Sequence, residues 1–179
     1  MKFRGFLLAL FALAVVPAAL AQAPPPAQRS AAARICAGLE QAMGAATFKA
    51  TYGTNATKSN ASGMCVSRWA KIEQQDTLKA THQCAAEQND PNFASSHGGK
   101  TFAQFYGTGK TGNKNAFGRC VSMKVRTLTT EQAVATVNAA RACAKERAAD
   151  PAAFKSKYGT NADKSNAFGR CVSSKATTK

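Results

Sequence analysis

Where apolar positions form a pattern along the chain, they fall at helical spacing, and no segment alternates convincingly at the two-residue period of a strand. The clearest stretch lies toward the C-terminus. Ala133, Val137, Ala140 and Ala144 recur on one stripe, and alanine both favours helix and lets a second helix approach closely. Thr129 is expected to cap the start of this helix, with Gln132 at the reciprocal capping-box position. Asp150-Pro151 should end it and start another, because proline suits a first helical position and disfavours helix at the residue before it. Phe154 and Tyr158 then share a face at i and i+4, and Gly159 is expected as a left-handed C′ residue. Residues 160–165 are polar and predict a loop. Asn166 is expected to cap a last short helix in which Phe168, Cys171 and Val172 share a face that can meet Phe154 and Tyr158. The predicted class is all-α.

This helix, short helix, loop, helix pattern is written three times. Residues 48–67 and 154–173 agree at 15 of 20 positions without a gap, and a third copy runs from Phe102 through Tyr106-Gly107-Thr108 to Cys120-Val121-Ser122. Asn60 and Asn115 stand where Asn166 does. Repetition sorts residues: what recurs builds the unit, and what occurs once is not its shared chemistry. The expected organisation is repeat 1 over 35–72, repeat 2 over 73–127 and repeat 3 over 128–179. The tyrosines recur at intervals of 54 and 52 residues, long for a classical solenoid.

The cysteines come two per repeat: Cys36 and Cys65, Cys84 and Cys120, Cys143 and Cys171. An even, regularly spaced set in an exported chain is most simply a disulfide framework. Pairing within repeats gives every copy the same bond, whereas a shifted scheme would join Cys65 to Cys84, Cys120 to Cys143 and Cys36 to Cys171. The chain has few helix breakers between Cys65 and Cys84, so these two are expected roughly 28 Å apart on one helix at 1.5 Å per residue. That spacing favours pairing within repeats, each bond closing a loop of about 30 residues and contributing roughly 3–4 kcal/mol on chain-entropy grounds.

Export itself is read from the N-terminus. Lys2 and Arg4 precede an apolar run over residues 6–16, Pro17 breaks it, and Ala21-Gln22-Ala23 offers a small-x-small cleavage site, so residues 1–23 are expected to be a signal peptide. The run is too short for a comfortable membrane anchor, no cysteine near the site suggests a lipoprotein, and no later stretch approaches membrane length. The expected destination is secreted or periplasmic, and residues 24–34 read as a Pro/Ala-rich tether entering a helix.

The chain carries 24 basic and 9 acidic side chains, and removing the signal leaves a formal +13. A solvated basic surface accounts for this in bland terms; the sharper reading is an anionic partner, such as a cell-wall polymer, lipid headgroups or an envelope surface. Nucleic acid is compatible with the charge but has no motif behind it. Among basic residues, Lys58, Lys114 and Lys164 occur in all three loops, and Arg119 and Arg170 precede the second cysteine in two copies. Cationic loops beside helix N-termini are candidate anion sites, because free N–H groups and the helix dipole favour negative charge there. Tyr52, Tyr106 and Tyr158 could stack ligands, but their partnership with Phe48, Phe102 and Phe154 points to packing.

Catalytic and metal chemistry find little support. The two histidines, His82 and His97, fall in the middle repeat alone, and Cys84 near His82 matches two cysteines with no histidine nearby. No CxxC pair supports a structural zinc, neither glycine-rich run of the middle copy (98–101 and 107–112) has Walker spacing, and the loops lack an EF-hand's carboxylates. Glu40, Glu87 and Glu146 follow the first cysteine of each unit and are expected to face solvent or pair with Lys and Arg. Asn55-Ala56-Thr57 and Asn60-Ala61-Ser62 match the common N-glycosylation pattern. No catalytic residue, metal or cofactor is expected.

With these motifs in hand, the chain resembles a group of uncharacterised small secreted bacterial proteins whose repeats carry a Tyr-Gly-Thr-Asn and Asn-Ala-Phe-Gly-x-Cys-Val-Ser signature. The resemblance covers residues 143–179 closely, 36–67 well and 84–122 with an insertion. It implies export and a bacterial source, and brings no activity, ligand or catalytic residue. Ser62 and Met64 depart from it where the other copies have Phe and Arg. The expected function is that of a non-enzymatic exported repeat protein binding an anionic extracellular or envelope component through cationic loops. A structural or stress-related envelope protein without a specific ligand is the alternative, and an exported hydrolase depending on His82 or His97 comes third.

Overall fold

The computed structural model describes residues 26–109 and 112–177; the expected signal peptide lies outside them, as do Lys110 and Thr111 of the second glycine-rich run. The described secondary structure is helical throughout: α1 (Pro26–Met43), α2 (Ala45–Tyr52), α3 (Ala61–Gln88), α4 (Phe93–Ser96), α5 (Phe102–Tyr106), α6 (Ala116–Ala149), α7 (Pro151–Tyr158) and α8 (Ala167–Ala176). Proline's fixed φ suits the first position of α1, so helix already begins within the segment expected as a tether.

Two long helices organise the molecule. α3 has 28 residues and α6 has 34, and each carries the end of one unit into the start of the next. The borders expected at 72/73 and 127/128 therefore fall inside continuous helices. α3 leads away from the first unit, and α6 packs back along it, so the third unit returns to the first. Those two units share one core, with Leu39, Phe48 and Trp69 of the first packed in the same cluster as Ala140, Phe154 and Phe168 of the third. The middle unit keeps a separate core of Phe93, Phe102, Tyr106 and Ala116 around its own cysteines. Disulfides join Cys36 to Cys65, Cys84 to Cys120 and Cys143 to Cys171, each with Cα atoms 6.0 Å apart. They tie α1 to α3, α3 to α6 and α6 to α8.

Thr129 and Gln132 do not start a helix; they lie in the middle of α6. Their polarity answers a different demand. Asp76 on α3 is 1% exposed, and its carboxylate accepts hydrogen bonds from Thr129 Oγ1 and Gln132 Nε2, both at 3.1 Å. A buried carboxylate without such donors would cost several kcal/mol. The capping pattern in the sequence is the signature of this cross-helix site. A capping box does form, at Thr101 and Gln104 ahead of α5.

The signature loop works differently from its expected form. Gly159 follows α7 with φ −76° and ψ 127°, in extended rather than left-handed backbone. Glycine is needed there for space: a Cβ would lie 2.5 Å from the Lys164 Cβ and 2.7 Å from the Lys155 carbonyl oxygen. Gly53 and Gly107 are crowded in the same way. The left-handed residue is instead the one three positions before the next helix: Lys58 (φ 57°), Asn113 (φ 63°) and Lys164 (φ 54°). Asn60 and Asn166 occupy N-cap positions, yet their side chains do not cap. Each turns back across the loop, donating from Nδ2 to the threonine after the glycine (Thr54 at 2.7 Å, Thr160 at 2.8 Å) and accepting from that threonine's N–H. The asparagine closes the loop, the first helical N–H bonds back to the left-handed residue (Ala61 to the Lys58 carbonyl, Ala167 to that of Lys164), and the next two N–H groups of each helix stay open.

The aromatic pairs pack as their spacing implies, with ring centroids 4.9 to 5.0 Å apart in all three units. What meets the tyrosine differs between units. Glu87 accepts from Tyr106 Oη at 2.8 Å and pairs with Lys124 at 2.7 Å. Glu146 accepts from Tyr158 Oη at 3.1 Å and pairs with Lys157 and Lys175. Glu40 is one residue out of register with these: the matching position in the first unit is Leu39, fully buried, and Trp69 stands where Lys124 and Lys175 do. Burial, and then the Glu87 hydrogen bond and charge, push the Tyr106 hydroxyl up to about 12. Burial alone would raise Glu87, but hydrogen bonds from Lys124 and Tyr106 hold it below the ordinary glutamate value. The Lys157 hydrogen bond, with help from Lys175 and Tyr158, brings Glu146 down to about 2.

Two outcomes follow for stability. Replacing Gly159→Ala should destabilise the protein by about 1–3 kcal/mol through overpacking, whereas Lys164→Gly should stabilise it by about 1 kcal/mol by removing a left-handed β-carbon; urea unfolding followed by circular dichroism reads both. Because Glu87 and Glu146 are depressed in the folded state, their contribution is fully present above the unfolded glutamate pKa of about 4.3. It is lost as pH falls through the folded values, about 2 for Glu146. The urea midpoint should therefore drop on acidification between about pH 5 and pH 2, and the Glu87→Gln/Glu146→Gln variant should show a flatter profile.

Candidate functional site

The return of the third unit to the first brings two of the signature loops to one cleft of about 600 Å³. Lys58 from the first loop, Arg68 from α3 and Arg170 from α8 line it, together with Asp163, Thr51 and Ser173. Three cations thus face a single carboxylate.

Each cation is placed by its own element. Lys58 sits at the left-handed position, where its N–H donates to the Asn55 carbonyl and its Nζ donates to the Gly53 carbonyl at 3.2 Å. These bonds hold its backbone at the rim. Arg68 lies one turn beyond Cys65, and its guanidinium packs over the Tyr52 ring 5.5 Å from the centroid. A guanidinium stacked on a ring keeps its charge while losing little freedom when it meets an anion. Arg170 is exposed on the first turn of α8, one residue before Cys171, so the disulfide fixes the helix that carries it.

The same end of α8 adds backbone donors. Asn166 uses its side chain on Thr160, and Gly169 on the first turn lines the cleft. Open N–H groups at a helix start, with the positive end of the dipole, favour an anion. Asp163 is occupied by its own loop: Asn161 Nδ2, Ser165 N and Ser165 Oγ all donate to its Oδ1. Those Ser165 bonds hold Asp163 below the ordinary aspartate value, so it stays ionised at neutral pH with its charge already solvated by donors. Arg147 locks the two units together beside the cleft, donating to Thr47 Oγ1 at 2.8 Å and packing 4.9 Å over the Phe168 ring.

The other basic residues singled out by the sequence are elsewhere. Lys164 holds the position equivalent to Lys58, and Lys114 does not: Asn113 takes the left-handed place in the middle unit, so Lys114 is one residue out of register. Arg119 donates from Nε to the Tyr106 carbonyl at 2.9 Å and fastens its own loop. Both belong to the middle unit, with its separate core, and neither lines the cleft. Arg68 is the residue that repetition could not flag, because Met123 and Ser174 stand at the same place in the other copies. The one sequence signal for it is its position on the cysteine-bearing helix, beside the Tyr52 it covers.

Of the candidates for chemistry, Cys84 and His97 have structural partners. Cys84 is bonded to Cys120 and offers no thiolate to His82, which is exposed. The His97 ring stacks on Phe93 with centroids 3.8 Å apart, and its Nδ1 is 2.8 Å from the Phe93 carbonyl oxygen. Among the described residues, no helix is long and apolar enough to cross a membrane. Comparison of the chain with protein-family models, with curated proteins and with solved structures finds no match.

Proposed function

We propose that the protein is a non-enzymatic exported binding protein that holds an anionic extracellular or envelope polymer in the Lys58–Arg68–Arg170 cleft. The observation that carries this reading is the convergence, from two separate units, of three cations and an open helix start on one concavity. The three disulfides support an oxidising compartment, where such bonds persist. The surplus of positive charge adds long-range attraction that is screened by salt. The sequence offers a cationic loop in each of the three units as a candidate anion site. The arrangement instead favours one composite cleft, with Lys114 and Arg119 as a lesser contribution from the middle unit.

Titration with inorganic polyphosphate should give saturable binding at low ionic strength that weakens steadily as salt is added. Single Lys58→Gln, Arg68→Gln and Arg170→Gln variants should each weaken it about two- to fivefold, as partly exposed charge contacts do. The triple variant should lose most of it with an unchanged circular dichroism spectrum, while Lys114→Gln changes little. Binding that survives the triple variant would reject the cleft. No measurable binding at low salt would favour the alternative of a structural envelope protein without a specific ligand.

A further inference from the structure

A second concavity lies away from the cationic cleft, along the outer side of α6. Its first stretch, about 630 Å³, is bounded by α1, α3 and α6, and its second, about 350 Å³, by α1 and α6. The two adjoin, because Arg34, Ile35, Ala133 and Val134 line both. Together they follow α6 from Val121 to Arg141, roughly 30 Å at 1.5 Å per residue.

The floor is apolar and the rim is cationic. Ile35, Ala133 and Val137 form the outer layer of the core shared by units one and three, and Val134 beside them is 55% exposed. The groove exists because small side chains stand where larger ones would fill it: Ala31 and Gly38 on α1, Ala133 on α6. A Cβ added at Gly38 would make only ordinary contact with Val137, at 4.0 Å, so packing between the helices does not demand glycine there. Arg34, Arg126 and Arg141 are exposed along the rim, and none takes part in an ion pair among the described residues. The one lining carboxylate, Glu73, belongs to the first stretch; the second stretch holds Arg34 and Arg141 and no acid.

We infer that this groove binds a single-chain amphiphile of the fatty-acid class, with its carboxylate between Arg34 and Arg141 and its acyl chain laid over Val134 and Ala133 toward Val125. Charge complementarity fixes the polarity: the head takes the stretch without Glu73, and the chain takes the apolar floor. The combined size suits a small ligand, since such sites are concave, mostly apolar and carry a few placed polar groups. An acid with a long apolar tail satisfies both features at once, where a bare anion leaves the floor wet and a neutral hydrocarbon leaves the arginines unused.

The test is calorimetric titration of the disulfide-intact protein with octanoate, decanoate and dodecanoate below their micellar concentrations. One saturable site is expected, with affinity rising by up to about fourfold per methylene, the value for a fully buried group. Arg34→Gln/Arg141→Gln should weaken dodecanoate about tenfold, the combined loss of two exposed charge contacts. Ala133→Phe, which fills the floor, should abolish it, and Val134→Asp, at an exposed position that does not endanger folding, should do the same. Lys58→Gln/Arg170→Gln should leave it unchanged, which separates this site from the cationic cleft. The inference is overturned by the absence of saturation, by affinity independent of chain length, or by full binding to the Ala133→Phe and Val134→Asp variants. Self-association of the wild type that Val134→Asp abolishes would assign the groove to a second copy of the chain and overturn it equally.

Discussion

Everything in this structure depends on each long helix carrying two cysteines from two different units. Cys65 and Cys84 lie on α3, Cys120 and Cys143 on α6, and each bonds to a neighbouring helix. The result is a covalent chain from α1 through α3 and α6 to α8. Such bonds stabilise mainly by limiting the unfolded ensemble, which matters most where no single core is large. Here the apolar material is divided between two clusters, and the middle unit's cluster rests on few large side chains. The disulfides hold that unit's short helices on a framework that packing alone supports thinly.

Within that framework the repeated unit is a loop built around close approach. The glycine after the aromatic helix leaves room for the backbone three residues ahead of the next helix, and that residue takes the left-handed conformation. The asparagine then ties the loop to the threonine beside the glycine. Two units add a Tyr–Glu–Lys network, and the first replaces it with Leu39 and Trp69. That exchange follows from position: Leu39 and Trp69 belong to the cluster between units one and three, where an apolar pair adds burial and an ion pair would lose its water.

Both concavities arise from this asymmetry. Because α6 returns along α3, units one and three face each other while the middle unit stands apart. Lys58 and Arg170 come together across that junction, and Arg68 joins them from a position the other units fill with Met123 and Ser174. The groove along α6 depends on the same return, since α1 of the first unit forms its wall against a helix that serves the second and third. Identical units in a straight array would have kept their cationic loops apart; folding the array back gathers cations of two units at one cleft.

The amino-acid sequence by itself determined the helical class, the three units, the aromatic pairing and the cysteine partners. These rest on interactions a few residues apart or on spacing along one helix, which periodicity displays directly. It misplaced Thr129 and Gln132 as a cap, because the same residue types serve a helix start and a buried carboxylate, and Asp76 lies 53 residues from Thr129. It also treated Lys114 as the equal of Lys58 and Lys164, because charge is visible in a string of letters and backbone hand is not. Only the tertiary structure decided which units meet, that Arg68 belongs with Lys58 and Arg170, and where α6 leaves a groove. Those outcomes depend on the helices running unbroken through the unit borders, which sets the direction and rotation of every side chain beyond them.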